Sequence, residues 1–162
     1  MKDLKDLFYH LLKDVLYAEK QIIRNLPKMA KQVQSTQLKQ AFEQHREETT
    51  GQVERLEQIF EMIGKAPRAE TCEAIQGLVE EAKEVMEDAG DDETRDAGVL
   101  AAAQAVEHYE IARYGTLAAW ADELGMKDAA KLLRETLEEE KKADQILSKI
   151  AMDRVNRKAK AA

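Results

Sequence analysis

Four long segments of this chain each carry apolar residues at alternating three- and four-residue steps, and in each the apolar stripe is interrupted near its middle by a carboxylate. Such spacing puts the apolar residues on one face of an α-helix, and faces this long are hidden from water by packing helix against helix. Residues 3–34 place Leu11, Val15, Ile22, Leu26 and Met29 on such a face with Glu19 among them. Residues 36–63 do the same with Leu38, Phe42, Leu56, Ile59 and Phe60. The middle of that second face is polar: His45, Glu48, Thr49 and Gln52 stand where Leu or Ile is usual, with Gly51 alongside as a residue that permits close approach. Residues 93–124 align Leu100, Ala103, Glu107, Glu110, Tyr114 and Leu117, and residues 127–158 align Ala130, Leu133, Glu140, Asp144 and Leu147. No segment alternates with the period of two that a half-buried strand requires, so the expected class is all-α.

Local signals punctuate these helices. Ser35-Thr36 offers an N-cap for the second, Gly64 and Pro67 end it, and Gly125 stands as the C′ residue of the third. Pro27 inside the first removes a backbone hydrogen bond, and a kink is expected about one turn before it. Residues 70–89 form a shorter helix with Ile75, Leu78, Ala82 and Val85 on one side and no clustered ligands. Its position suits the long crossover between the second and third helices of a ferritin-like bundle. The expectation is one domain, residues 1–162, folded as an antiparallel four-helix bundle with an additional shorter crossover helix.

Composition narrows the function. With 162 residues and 44% hydrophobic content the chain can fill a core, and 35% charged residues with 5% aromatics suit long amphipathic helices. A net charge of −7 opposes nucleic-acid binding, and the basic tail Arg154, Arg157, Lys158 and Lys160 complements a helix C-terminus. No run of about 18 apolar residues is present and the first residues enter an amphipathic pattern directly, so no membrane partner and a cytoplasmic setting are expected. A lone Cys72 permits no internal disulfide and no thiolate cluster, and it reads as a small packed residue.

The inward carboxylates point to metal chemistry. Glu19, Glu48, the Glu107/Glu110 pair and Glu140 come from four different helices, and carboxylates turned toward an apolar core need protons, partners or ions. Residues three or four apart share a helix face, so Glu48 is joined by His45 or Gln52, and Glu140 by Asp144. That is the ligand set of a two-metal site inside a bundle. Oxygen donors with an imidazole suit iron(II), manganese(II) or, less specifically, zinc. His45 by itself reads as a helix-face histidine bonded to a carboxylate, while His108 lies off the stripe and His10 is remote.

Tyr17-Ala18-Glu19-Lys20-Gln21, His45-Arg46-Glu47-Glu48-Thr49, Val106-Glu107-His108-Tyr109-Glu110-Ile111-Ala112 and Leu137-Glu138-Glu139-Glu140-Lys141 together resemble the bacterial YciF-like stress-protein family, a ferritin-like group. The likeness covers essentially the whole chain. It implies a four-helix bundle plus an extra helix, a homodimer and a di-iron centre similar to that of rubrerythrin. On that resemblance the metal ligands are Glu19, Glu48, Gln52, Glu107, Glu110, Glu140 and Asp144, with Gln52 or His45 and Asp144 standing where rubrerythrins have histidines. No rubredoxin-type cysteine domain is present to deliver electrons.

Two functions follow. One is a di-metal protein, iron or manganese, that meets oxygen or peroxide. The other is a non-catalytic structural or partner-binding bundle whose inward carboxylates hold protons. Iron storage in a shell would need a cage-forming assembly on which the residues are mute.

Overall fold

A computed structural model describes residues 1–162. Helix α1 spans Leu4–Gln32, opening where the Asp3 carboxylate accepts the Asp6 N–H at 2.8 Å, and it continues through Pro27. Helix α2, Thr36–Met62, starts at Ser35, whose hydroxyl accepts the Leu38 N–H at 3.3 Å. Helix α3 is Glu73–Asp88, α4 is Asp92–Glu123 and α5 is Lys127–Ile150. A π-helical turn, Ala151–Val155, leads into the terminal helix α6, Asn156–Ala161. No strand occurs, and the architecture is the all-α bundle the periodicity predicts.

Both helix-ending glycines sit in the left-handed region, Gly64 at φ 66° and Gly125 at φ 72°. Each closes its helix with the paired bonds of a Schellman turn. Lys65 N–H reaches the Phe60 carbonyl and Gly64 N–H the Glu61 carbonyl, while Met126 and Gly125 do the same to Ala121 and Asp122. A side chain at either glycine would meet the steric penalty of that backbone region.

Helix α1 packs against α2 and α4, and α5 packs against α2 and α4, so the four long helices form a square. Asp96, in the first turns of α4, is buried and accepts the N–H groups of Gln34 and Ser35 at 2.7 Å each, so α4 begins at the α1–α2 turn. The chain leaving α2 at the opposite end must climb back, and α3 makes that climb against α4 and α1. One position governs its fit: a methyl group on Gly98 of α4 would overlap Val85 of α3. Gly51, by contrast, has open space where its Cβ would stand, so the close approach expected there does not occur and is made at Gly98 instead.

The apolar interior is split in two. One cluster gathers Ala18, Ile22, Phe42, Val99, Ala103 and Leu147 toward the α1–α2 turn. The other gathers Phe8, Leu16, Leu56, Phe60, Leu117 and Leu133 toward the opposite end. Between them lies a layer of buried polar side chains: Glu19, His45, Thr49, Gln52, Glu107, Glu110 and Glu140. Cys72 is a free buried thiol at the N-terminus of α3, 3.0 Å from the Tyr109 hydroxyl, as its reading as a packed residue requires.

Candidate metal centre

Each long helix brings its polar residues inward at the same depth because each stripe is interrupted at mid-length. Helix α1 contributes Glu19, α2 contributes His45 and Gln52, α4 contributes Glu107 and Glu110, and α5 contributes Glu140. One ligand atom from each of His45, Glu107, Glu110 and Glu140 falls within 4.8 Å of all the others, so the group can hold a metal ion.

The donors are unsatisfied. Glu19 Oε2, both ring nitrogens of His45, Gln52 Oε1, Glu107 Oε2, both oxygens of Glu110 and Glu140 Oε2 are buried with no hydrogen-bond partner. These eight are all of the buried side-chain polar atoms so left in the molecule, and they lie in one layer. Leaving such an atom dry and unpaired costs about 1–3 kcal/mol, more for a charged group, so a concentration of them implies something to be bound. Glu110 lies beside Glu19, and Glu107 beside Glu140, near enough that each neighbour's charge raises its pKa. Two carboxylates bond to each other only through a proton, or share an ion.

Electrostatics agree. Burial, then the Glu140 charge, pushes Glu19 up to about 8, although the Tyr114 hydroxyl that donates to Glu19 Oε1 works against that rise. Burial, followed by Glu140 and Glu19, holds Glu107 and Glu110 well above the usual carboxylate range. Burial opposes a charge on His45, yet the carboxylates of Glu48, Glu140 and Glu19 outweigh it and raise its pKa. Its Nε2 stands 3.3 Å from Glu107 Oε1 and 3.9 Å from Glu140 Oε2. Because neither contact is aligned as a hydrogen bond, these are proximities of charge that leave the ring nitrogens available.

Gln52 is held from outside the layer. Its amide nitrogen donates to Glu140 Oε1 and, at 3.1 Å, to Glu139 Oε2. Glu139 is in turn gripped by Arg55 through two bonds of 2.6 and 2.8 Å, and Arg55 also reaches the Thr136 hydroxyl at 3.1 Å. With its nitrogen so engaged, the amide turns its unpartnered oxygen elsewhere in the buried layer.

Two residues of the expected ligand set stand apart. Glu48 is partly exposed; its Oε1 accepts from the Gln44 amide at 2.9 Å, and its Oε2 is 4.0 Å from His45 Nδ1. The neighbouring His45 and the Gln44 amide hold Glu48 below the usual carboxylate range against the opposing effect of burial. Asp144 accepts from Gln104 at 3.1 Å and lies 3.2 Å from the exposed His108, outside the four-ligand group. The inward imidazole is therefore His45, which the residues alone left as an alternative to Gln52. The Arg55–Glu139 clamp escaped the sequence reading, although Arg55 lies one turn beyond Gln52 and Glu139 adjoins Glu140.

Residues 3–160 match the family described as a domain of unknown function, DUF892. Protein YciF of Escherichia coli strain K12 is 51% identical over 160 residues, which are 98% of this chain and 96% of that protein. The crystal structure of the E. coli stress protein YciF is similar with a TM-score of 0.92 at 51% identity, over 97% of this chain and 99% of that one. YcfI of Rhodopseudomonas palustris, described as a candidate structural protein, is similar with a TM-score of 0.89 at 48% identity, over 91% and 94% of the two chains. A Xanthomonas campestris protein, 21% identical with a TM-score of 0.79 over 98% of each chain, shares the fold. No helix here is long and apolar enough to cross a membrane. By sequence along nearly its whole length and by fold, the chain belongs to the DUF892 family, the family of YciF.

Proposed function

We propose that this chain is a carboxylate-bridged metal protein, with a two-ion centre of iron or manganese that meets oxygen or peroxide under stress. The observation that carries this reading is the gathering of every unsatisfied buried side-chain polar atom into one layer between two apolar clusters. The donor set fits the ions: four carboxylates, an imidazole and an amide oxygen are hard to intermediate ligands, and no thiolate is present in the layer. Glu107, Glu110, Glu140 and His45 would hold one ion, and Glu19 with Glu110 would extend the site toward a second. Such a pair of ions, when bound, supplies two-electron exchange with oxygen species.

The chain's own residues prepare the site. Tyr114 keeps its proton, because burial and then the Glu19 carboxylate hold its pKa well above the ordinary value, and its hydroxyl donates a hydrogen bond to Glu19. The Arg55–Glu139–Gln52 relay fixes Glu140 from behind. The stress setting is supported by the naming of the E. coli relative as a stress protein.

The rival reading is a structural bundle whose carboxyl pairs share protons. The raised pKa values of Glu19, Glu107 and Glu110 favour it, since burial and neighbouring carboxylates make each hold a proton more readily than a free carboxyl does. The two separate in calorimetric titration of chelator-treated protein with manganese(II) and, without oxygen, iron(II). Saturable binding near two ions per chain, weakened in Glu140→Ala, supports the centre; no uptake of either ion leaves the proton-sharing bundle.

A further inference from the structure

Beside the metal layer, and outside the proposed ligand set except where they touch, helices α1, α3 and α4 enclose a cavity of about 310 Å3. Its waist is apolar, formed by Leu26 and Met29 of α1, Leu78 and Met86 of α3, and Ala102 and Val106 of α4. The buried His45 and Glu107 line its floor, and neither ring nitrogen of His45 has a hydrogen-bond partner. Lys28 and Lys83, both exposed, line it where it opens to solvent. The cavity is thus apolar along its length, cationic at its rim and rich in carboxylates beyond its floor.

We propose that this cavity binds the alkyl chain of a medium-chain monocarboxylate, with its carboxylate at Lys28 and Lys83 and its tail running toward His45 and Glu107. Charge sets the direction. A carboxylate at the buried floor would have to shed its water, whereas at the rim it stays hydrated and meets two ammonium groups. Lys83 is paired with Glu80 at 2.8 Å, but an exposed pair one turn apart is weak and exchanges readily for a ligand carboxylate. Size sets the length. At about 310 Å3 the cavity lies at the small end of the roughly 300–1,000 Å3 that ligand pockets span, which suits a medium chain rather than a long one. Helix α3 is the outer wall, and its Leu78, Val79 and Met86 remain only half-buried without an occupant. Filling the cavity would bury them, and apolar burial is what retains a flexible chain in a mostly apolar pocket.

The site needs no metal, so it is tested on the chelator-treated protein with decanoate and, as the uncharged comparison, 1-decanol. Decanoate is expected to bind one per chain and to shift the methyl resonances of Met29 and Met86 ahead of those of Met1 and Met62. Ala102→Phe, which fills the waist, should weaken decanoate at least tenfold. Lys28→Glu combined with Lys83→Glu should weaken decanoate about tenfold and change 1-decanol less than twofold. If Ala102→Phe fails to fold, as circular dichroism would tell, Ala82→Phe blocks the same waist from α3, and the methionine shifts in the unaltered protein decide the location independently. Three results overturn the proposal: no decanoate binding to the unaltered protein, undiminished binding in the filled variants, or equal response of acid and alcohol to the rim charges. Manganese affinity measured on the same variants keeps the two readings apart, since decanoate binding without any metal uptake removes the metal centre and leaves this site standing.

Discussion

Tyr114 of α4 donates its fully buried hydroxyl to Glu19 Oε1 of α1, joining across the bundle two helices whose polar residues share one layer. A buried hydroxyl and a buried carboxyl that make no other hydrogen bond in the protein depend on each other. Tyr114→Phe keeps the ring and removes the donor, so Glu19 is left with two unpaired oxygens. The expected cost is about 1–3 kcal/mol. Urea unfolding should show a lower midpoint with an unchanged helical spectrum, and an unchanged midpoint would mean that the bond contributes nothing.

Stability of the metal-free protein should fall as pH rises. Glu19 moves from an ordinary value of 4.5 up to about 8 on folding, and Glu107 and Glu110 are raised in the same direction, by burial first and by Glu140 and Glu19 after it. Between about 4.5 and 8 the folded chain therefore holds more protons than the unfolded one, and each unit of pH withdraws stability. The raised pKa of His45 acts with the same sign. The lowered pKa of Glu48 acts oppositely, but its contribution is lost only on the acid side, below the ordinary carboxylate value. Thermal melts in chelator should decline from pH 5 to 9, and manganese(II) should flatten the decline by taking the place of the protons. A melting temperature that climbs over that interval would contradict the burial of these three acids.

Metal affinity should follow position in the layer. His45→Ala and Glu140→Ala each remove a member of the four-ligand group and should weaken manganese(II) about tenfold or more. Asp144→Ala disturbs only Gln104 and His108 and should change affinity less than about twofold. Isothermal titration of the three variants makes the comparison; equal losses in all three would mean that Asp144 reaches the ions after all.

The two internal glycines should respond in opposite directions. Gly51→Ala adds a methyl group to open space in the middle of α2, which should stabilise the chain by about 0.5–1 kcal/mol. Gly98→Ala drives that methyl group into Val85 and should loosen α3, read as faster hydrogen exchange along residues 73–88. Stabilisation by both substitutions would remove Gly98 as the seat of α3.

The long helices and the depth of the polar layer were legible because a 3.6-residue period states directly which residues face inward. Glu19, Glu107, Glu110, Gln52 and Glu140 lie in that layer as their phase requires. Glu48 and Asp144 are where phase misleads: each sits roughly 60° or more round its helix from the middle of the buried stripe, close enough to read as inward and far enough to meet solvent. His45 lies nearer the middle of its stripe, but a lone histidine among polar neighbours gives no sign of direction. Contacts between helices are another matter. The choice of Gly98 over Gly51 as the point of close approach depends on where α3 crosses α4, a property of tertiary packing that no local period encodes.

Asp96 lies far along α4 from Glu107, yet it governs where that glutamate meets its partners from other helices. By clasping the backbone of Gln34 and Ser35, it pins the α1–α2 hairpin to α4 at one end, and straight helices transmit that alignment down the bundle. The two hairpins resemble rulers laid edge to edge with a single fixed stop. If the stop were removed, the apolar clusters could still mate after a slip of one helical turn, whereas carboxylates from different rulers would no longer face one another. Asp96→Ala should accordingly weaken manganese(II) more than it lowers the melting temperature would suggest, the mark of a residue that sets alignment rather than adhesion.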